Sequence, residues 1–289
     1  MENFWDNPDL LCVTGSRLYG VSTPDSDTDY RGFVAEPLSY LIGMDRFEQK
    51  EYEDCDKVVY GLKKFFTILK MGNTNCLESL FANEYLFLSP IGSRVLEKRN
   101  LFVSKNYYRS IRGFALSEWR KARAVNLAMA YADKDEEDIF VKLSGRYQLK
   151  RFEINDIMDI IFTNREGDPR KEESSTRFLG EKRKISVDKH GFSVKNAYHA
   201  IRLLDQGIEL MKTGSITFPR HNASELRDIR NGNVSIEDLE KRYHSLNEEL
   251  QKAAEASKLP SKPNSEEINE LYLKIVQDIV QDKYAKVDL

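Results

Sequence analysis

The first hundred residues switch between two hydrophobic periods. Leu10 to Val13, in DLLCVTG, form a short apolar run that stops at Gly15, the pattern of a strand entering a turn. YRGFVA and EYEDCDKVVYG each predict a further strand, the second ending in Val58, Val59 and Tyr60. In LKKFFTILKMGN the period lengthens. Leu62, Phe65, Phe66 and Leu69 share one helical face, and Gly72-Asn73 is a stop signal. Strand, turn, strand, strand, helix describes a compact α/β unit.

From about residue 105 the pattern is helical. NYYRSIRGFALSEWRKARAVNLAMAYA reads as one long helix with Gly113 inside it. Residues 163–190 are the most polar stretch and are expected to form a mobile, largely basic loop. Ser193 is an expected N-cap for a helix running to Gly214, and Asn222 and Ser235 are expected caps for two more. The segment 257–265, SKLPSKPNS, reads as a linker. Ser265 then opens an amphipathic helix with Ile268, Leu271, Ile275 and Ile279 on its face. The expected class is α+β: a domain over 1–100 with a small mixed sheet and helices, then a mostly helical domain over 101–289.

Composition narrows the class. The chain has 289 residues, 40% hydrophobic and 11% aromatic, enough for a packed core. No apolar run approaches the roughly 20 residues that span a bilayer, so no membrane association is expected. The start, MENFWDNPD, lacks the basic-then-apolar order of a signal peptide. Cys12, Cys55 and Cys76 are an odd number without CxxC spacing, and with four histidines they do not suggest zinc. All three are expected to be buried small hydrophobes in a reducing, cytoplasmic setting. The net charge of −3 argues against a protein that coats nucleic acid, but it is unevenly spread. Residues 1–100 carry a net −5, 101–230 a net +6 and 231–289 a net −4. An acidic beginning and a basic middle would suit a metal site and a grip on a polyanion; ordinary variation in surface charge would give the same numbers.

The acidic density peaks in GSRLYGVSTPDSDTDYRG, residues 15–32. Asp25, Asp27, Asp29 and Glu36 fall at positions 1, 3, 5 and 12 of a calcium-binding EF-hand loop. That match fails at position 6, which needs glycine and holds Tyr30, and at position 8, which holds Gly32. Turn chemistry accounts for Pro24, Asp25 and Ser26. It accounts less well for Asp27 and Asp29, which run into Phe33 and Val34 and oppose strand propensity. A metal explains them better. Residues i and i+2 of a strand share a face, about 6.6 Å apart, and carboxylates so placed can hold Mg²⁺ together with substrate phosphate. Gly15-Ser16 would supply the phosphate's donors: glycine permits close backbone approach, and a serine hydroxyl with helix-start amides makes an anion cradle.

A strand ending in Gly-Ser, a short helix, then a strand with Asp-x-Asp resembles the DNA polymerase β-type nucleotidyltransferase superfamily. The whole string GSRLYGVSTPDSDTDYRG is similar to one bacterial and phage branch, the predicted nucleotidyltransferases of the YcgL/RlaP type, sometimes associated with RNA ligases. DKVVYGLKKFFTILKMGNTNCLESLF resembles the segment that follows there: a strand acid, a helix, an Asn-rich turn and a Glu. KNAYHAIRLLDQGIELMKTG resembles its helical C-terminal part. The resemblance covers 10–82 and the region around 191–232. It implies a polymerase-β-like catalytic domain. Ser16 would meet a β- or γ-phosphate with Gly15 permitting the approach, and Asp27 and Asp29 would be metal ligands. A third carboxylate would bridge metal and acceptor. Asp56, just before VVY, is favoured for that role over Asp54, with Glu53 on the opposite strand face. Mg²⁺, or Mn²⁺, is the implied cofactor and a nucleoside triphosphate, such as ATP, the implied substrate.

Lys195, His199 and Arg202 are spaced i, i+4, i+7 and make one helical stripe, read either as a phosphate grip or as a solvated face. Arg17 and Arg31 flank the aspartates, to neutralise phosphate or to pair with the carboxylates. Arg227 and Arg230 are further candidates for substrate contact. NYYRSIRGF interleaves aromatic and basic residues, which suits base stacking or, equally, a core. The leading expectation is transfer of a nucleoside monophosphate from an NTP to an acceptor hydroxyl with release of pyrophosphate, the acceptor being RNA (tRNA or another RNA end). The alternatives are nucleotidylylation of a protein by the same site and an inactive module that binds nucleotide.

Overall fold

The computed structural model describes residues 3–52, 55–130, 186 and 189–284. Its elements, numbered over those residues, begin with strand β1 (Leu10–Thr14), helix α1 (Gly15–Tyr19), strand β2 (Asp29–Val34), the short helix α2 (Leu38–Leu41), and strands β3 (Gln49–Tyr52) and β4 (Lys57–Gly61). Helices α3 (Leu62–Lys70) and α4 (Thr74–Leu80), strand β5 (Phe87–Leu88) and helix α5 (Pro90–Glu97) follow. The remainder is helical: α6 (Asn106–Ala130), α7 (Val194–Thr213), α8 (Ala223–Arg230), α9 (Ile236–Ala256) and α10 (Ser265–Tyr284). The fold is therefore α+β, a five-stranded mixed sheet ahead of helices. The expected loop at 163–190 lies outside the described residues apart from Ser186, Lys189 and His190.

The sheet order is β3-β4-β2-β1-β5. β1 runs antiparallel to β2 and β5, β2 parallel to β4, and β3 antiparallel to β4. Alternation in β1 buries Leu10, Cys12 and Thr14. On α3, Leu62, Phe65, Phe66 and Leu69 are all buried, and Phe65 stacks on Phe33 of β2 with ring centroids 4.8 Å apart. The helix covers the sheet because its apolar stripe matches the apolar face beneath it. β2 is divided: Asp29, Tyr30 and Arg31 are half-exposed, while Gly32, Phe33 and Val34 are buried.

EYEDCDKVVYG is not one strand. β3 and β4 form a hairpin in which Tyr52 pairs with Lys57. An acidic run ahead of VVY turns more readily than it extends, and Cys55, expected in the core, is exposed at this turn. Cys12 and Cys76 are buried as expected. Helix ends follow the sequence closely. Gly214 follows α7 with φ +72°, and the Ser235 hydroxyl accepts from Asp238 N at 3.1 Å. α10 opens at Ser265 as expected and is capped by Asn264, its side-chain oxygen accepting from Glu267 N. Tyr107, in NYYRSIRGF, is fully buried and its hydroxyl donates to the Leu69 carbonyl at 2.9 Å, so that aromatic belongs to the core.

The residues group into two compact units. The first holds 1–112, 205–224 and 247–289, so the sheet's own unit also takes in late segments of the chain; the second holds 113–204 and 225–246. No described helix is long and apolar enough to cross a membrane.

Candidate active site

The first unit carries the residues of GSRLYGVSTPDSDTDYRG. Pairing of β1 with β2 sets Thr14 opposite Asp29 at one end of the sheet. The chain then turns into α1 through Gly15, at φ +66°. A Cβ on residue 15 would stand 1.8 Å from Asp29 Oδ2 and 2.8 Å from its Cγ. Only glycine meets both demands, the left-handed φ and the carboxylate against its α-carbon. Ser16 is half-buried in the first turn of α1, and its carbonyl accepts from Val21 N at 2.9 Å.

Beyond α1 the expected turn is present. Ser26 N donates to the Thr23 carbonyl at 3.0 Å and Thr23 N to Ser26 Oγ at 2.8 Å, with Pro24 and Asp25 between them. Arg17 is exposed and donates to the Ser26 carbonyl at 3.0 Å, tying α1 to this turn. β2 begins at Asp29, so exposed Asp27 precedes the strand, and the shared-face argument for the pair does not carry over. Asp56 is also exposed, ahead of β4, and its carbonyl accepts from Tyr30 N at 2.7 Å. Extending the Tyr30–Lys57 register by one residue brings the Asp56 backbone alongside Asp29. Glu53 and Asp54 lie outside the described residues. Among the described residues, no group of three or more His, Cys, Asp or Glu side chains comes together to hold a metal ion, so Asp27, Asp29 and Asp56 do not form such a group. Gly15 leaves room for the Asp29 carboxylate against its α-carbon, so the glycine turn and this acid stand together.

Glu36, the last position of the calcium pattern, serves another purpose. It is buried, accepts from Leu62 N at 3.0 Å and so caps α3, with Gly61 leaving room for its carboxylate. Burial raises its pKa. Arg31 faces Tyr60 and Cys76; burial pushes that thiol up to about 12.

The second unit carries the cationic stripe. Lys195 is exposed, His199 half-buried and Arg202 only 3% exposed, so the stripe is not a simple solvated face. Burial, and then the charges of Arg202, Lys195, Arg230 and Lys121, lower the His199 pKa to about 3. The imidazole is therefore neutral within a cationic surround drawn from α6, α7 and α8. Glu118 answers part of that charge: Lys121 Nζ lies 2.7 Å from it and Asn196 Nδ2 donates to it at 2.6 Å. Arg227 is exposed on α8.

One buried constellation escaped the sequence reading in part. Glu78 of α4 is 1% exposed and accepts from the Tyr19 hydroxyl at 2.6 Å and from Gln206 Nε2 at 3.0 Å. The signal was a lone acid among the apolar positions Cys76, Leu77 and Leu80, and Tyr19 and Gln206 could not be joined to it from sequence alone.

Two curated proteins are similar to the chain. Over 122 residues the chain is 30% identical to an uncharacterized protein of Methanocaldococcus jannaschii, covering 40% of this chain and about half of that protein's length, 50%. Over 298 aligned positions it is 23% identical to an uncharacterized 38.9 kDa protein of Enterobacteria phage T4, covering 84% of this chain and 89% of the phage protein. No solved structure matches the chain with significance. Residues 10–274 match RlaP, described as the RNA repair pathway DNA polymerase beta family, a span that takes in the strand, glycine turn and aspartates above, and the chain belongs to that family.

Proposed function

We propose that the protein transfers a nucleoside monophosphate from an NTP to a hydroxyl at an RNA end, with Mg²⁺ as cofactor. The observation that carries this reading is the approach of Asp29 to Gly15, a carboxylate set against a backbone that only glycine keeps open. Membership of a polymerase-β-like family supports the reaction type. In this reading the Ser16 hydroxyl and nearby amides bind the β- or γ-phosphate. Asp27 and Asp29 hold the cation, with Asp56 or Asp54 as third ligand. The bound Mg²⁺ supplies neutralisation of phosphate charge and activation of the acceptor. Asp56 accepts the proton of the acceptor hydroxyl, whose oxygen bonds to the α-phosphorus as the bond to the bridging oxygen breaks and pyrophosphate leaves. Arg17 contacts the nucleotide's phosphates; on the second unit exposed Lys195 meets a phosphate of the acceptor, with His199 as a neutral hydrogen-bonding group beside it and buried Arg202 adding charge from beneath.

The test is incubation with α-labelled ATP, CTP, GTP or UTP, Mg²⁺ and total RNA. Label should move to RNA, and Asp29→Asn should stop it. Label on protein instead would redirect the acceptor to a side-chain hydroxyl. A second reading, a module that binds nucleotide without turnover, is favoured by the lack of a three-carboxylate group among the described residues. It requires NTP binding with no transfer to any acceptor.

A further inference from the structure

Glu78 is a buried carboxylate without a part in the chemistry above. Both of its oxygens are engaged, Oε2 by the Tyr19 hydroxyl and Oε1 by Gln206 Nε2. At 1% exposure it cannot reach a substrate or a solvated cation. Its partners show what it serves. Tyr19 is the last residue of α1, the five-residue helix that starts with Gly15-Ser16. A helix that short has little stability of its own; its shape must come from what holds its end.

Contacts at Tyr19 within the first unit hold it. The Tyr19 ring packs against Phe218, centroids 6.0 Å apart. The Tyr19 carbonyl accepts from Arg220 N at 3.1 Å. The Tyr19 hydroxyl donates to Glu78, a charge-assisted bond in a dry setting and the strongest kind available there. Glu78 in turn is held by Gln206 of α7, which is fully buried. The chain of hydrogen bonds therefore runs from α7 through α4 into the end of α1, four residues from Gly15.

We propose that Glu78 is a positioning residue, fixing the Gly15-Ser16 turn through Tyr19. Its service to phosphate binding rests on the transferase reading above; the mechanical role does not. Hydrogen exchange of the nucleotide-free full chain isolates that role. The reporters are the amides of Gly20 and Val21, which donate to the Arg17 and Ser16 carbonyls at 3.2 and 2.9 Å and close α1. Tyr19→Phe keeps the ring and Glu78→Gln keeps the shape. Each should speed exchange at these two amides by about tenfold or more, the factor expected when a hydrogen bond to a charged group is lost, with the β4 amides unchanged. The double variant should be no faster than the faster single, because both break one bond. Unchanged exchange in both singles, or effects that add, would overturn the proposal. Should Tyr19→Phe fail to fold, Glu78→Gln alone decides it by the same amides.

The labelling assay then reads the functional half. In both variants the KM for NTP should rise while the KM for acceptor stays put, a split that general destabilisation does not produce. Wild-type protein that moves no label sinks the transferase reading, and the exchange result still stands. Wild-type transfer with an unmoved KM for NTP in both variants would overturn the link from Glu78 to phosphate binding.

Discussion

The two units handle charge in opposite ways. In the first, the site residues are acidic and most of them lie at or near the surface: Asp27 and Asp56 are exposed and Asp29 is half-exposed on the open half of β2. Its buried acids are each satisfied by donors, Glu36 by Leu62 N, Glu78 by Tyr19 and Gln206, and Asp205 by Arg220. In the second, the stripe residues are basic, and burial has gone far enough to hold His199 neutral. Carboxylates near water remain open to a solvated cation, whereas burial and then crowded cations keep a nearby imidazole from joining them. In the proposed reaction the first unit would hold the cation and the second would meet an anion.

The largest expected effect tests the acidic side. Asp29→Asn should lower nucleotidyl transfer by about a hundredfold or more, since a neutral amide cannot neutralise developing phosphate charge. Initial rates with labelled NTP measure it, and retained activity would remove Asp29 from the chemistry. Next comes Gly15→Ala. The left-handed φ alone should cost about 1–2 kcal/mol, and the added carbon must also displace the Asp29 carboxylate. Urea unfolding reads the first loss and NTP binding the second.

The cationic side has smaller handles. The folded pKa of His199, about 3, lies below its ordinary 6.5. Between those values the unfolded chain binds a proton that the folded chain refuses, so stability should fall as pH drops from 6.5 toward 3. One group contributes at most about 1.4 kcal/mol per pH unit. His199→Gln should flatten that part of the profile, measured by urea unfolding at a series of pH values, and an unchanged slope would mean that His199 titrates normally. The smallest change is Lys195→Ala. Lys195 is exposed, so stability should hardly move, while the log–log salt slope of RNA binding should shrink by about 1. A slope that stays put would mark the stripe as surface.

How much of this could be read from sequence follows the range of each interaction. The strand ending at Gly15, the turn at Pro24-Asp25 and the stripe of α3 are local patterns, and the structure repeats them. The hairpin at β3 and β4 was missed because an acidic run with alternating polarity imitates a strand. Asp27 was assigned to β2 from its i+2 spacing, yet the ladder starts at Asp29. A helical wheel leaves Arg202 open between a phosphate grip and a solvated face, and it is buried by packing that a wheel does not contain. Glu78 pairs with Tyr19 across 59 positions and with Gln206 across 128, distances at which no local period carries information.

The division of β2 has a practical consequence. Asp29 and Val34 are five positions apart, yet one end is half-exposed, where the proposed site lies, and the other is in the core. In a library of variants scored separately for soluble yield and for activity, this one strand should show both outcomes. Changes at Asp29 should leave yield intact and silence the protein, while polar changes at Phe33 or Val34 should remove it from the soluble fraction. A boundary that falls elsewhere along these six residues would redraw where the working surface begins.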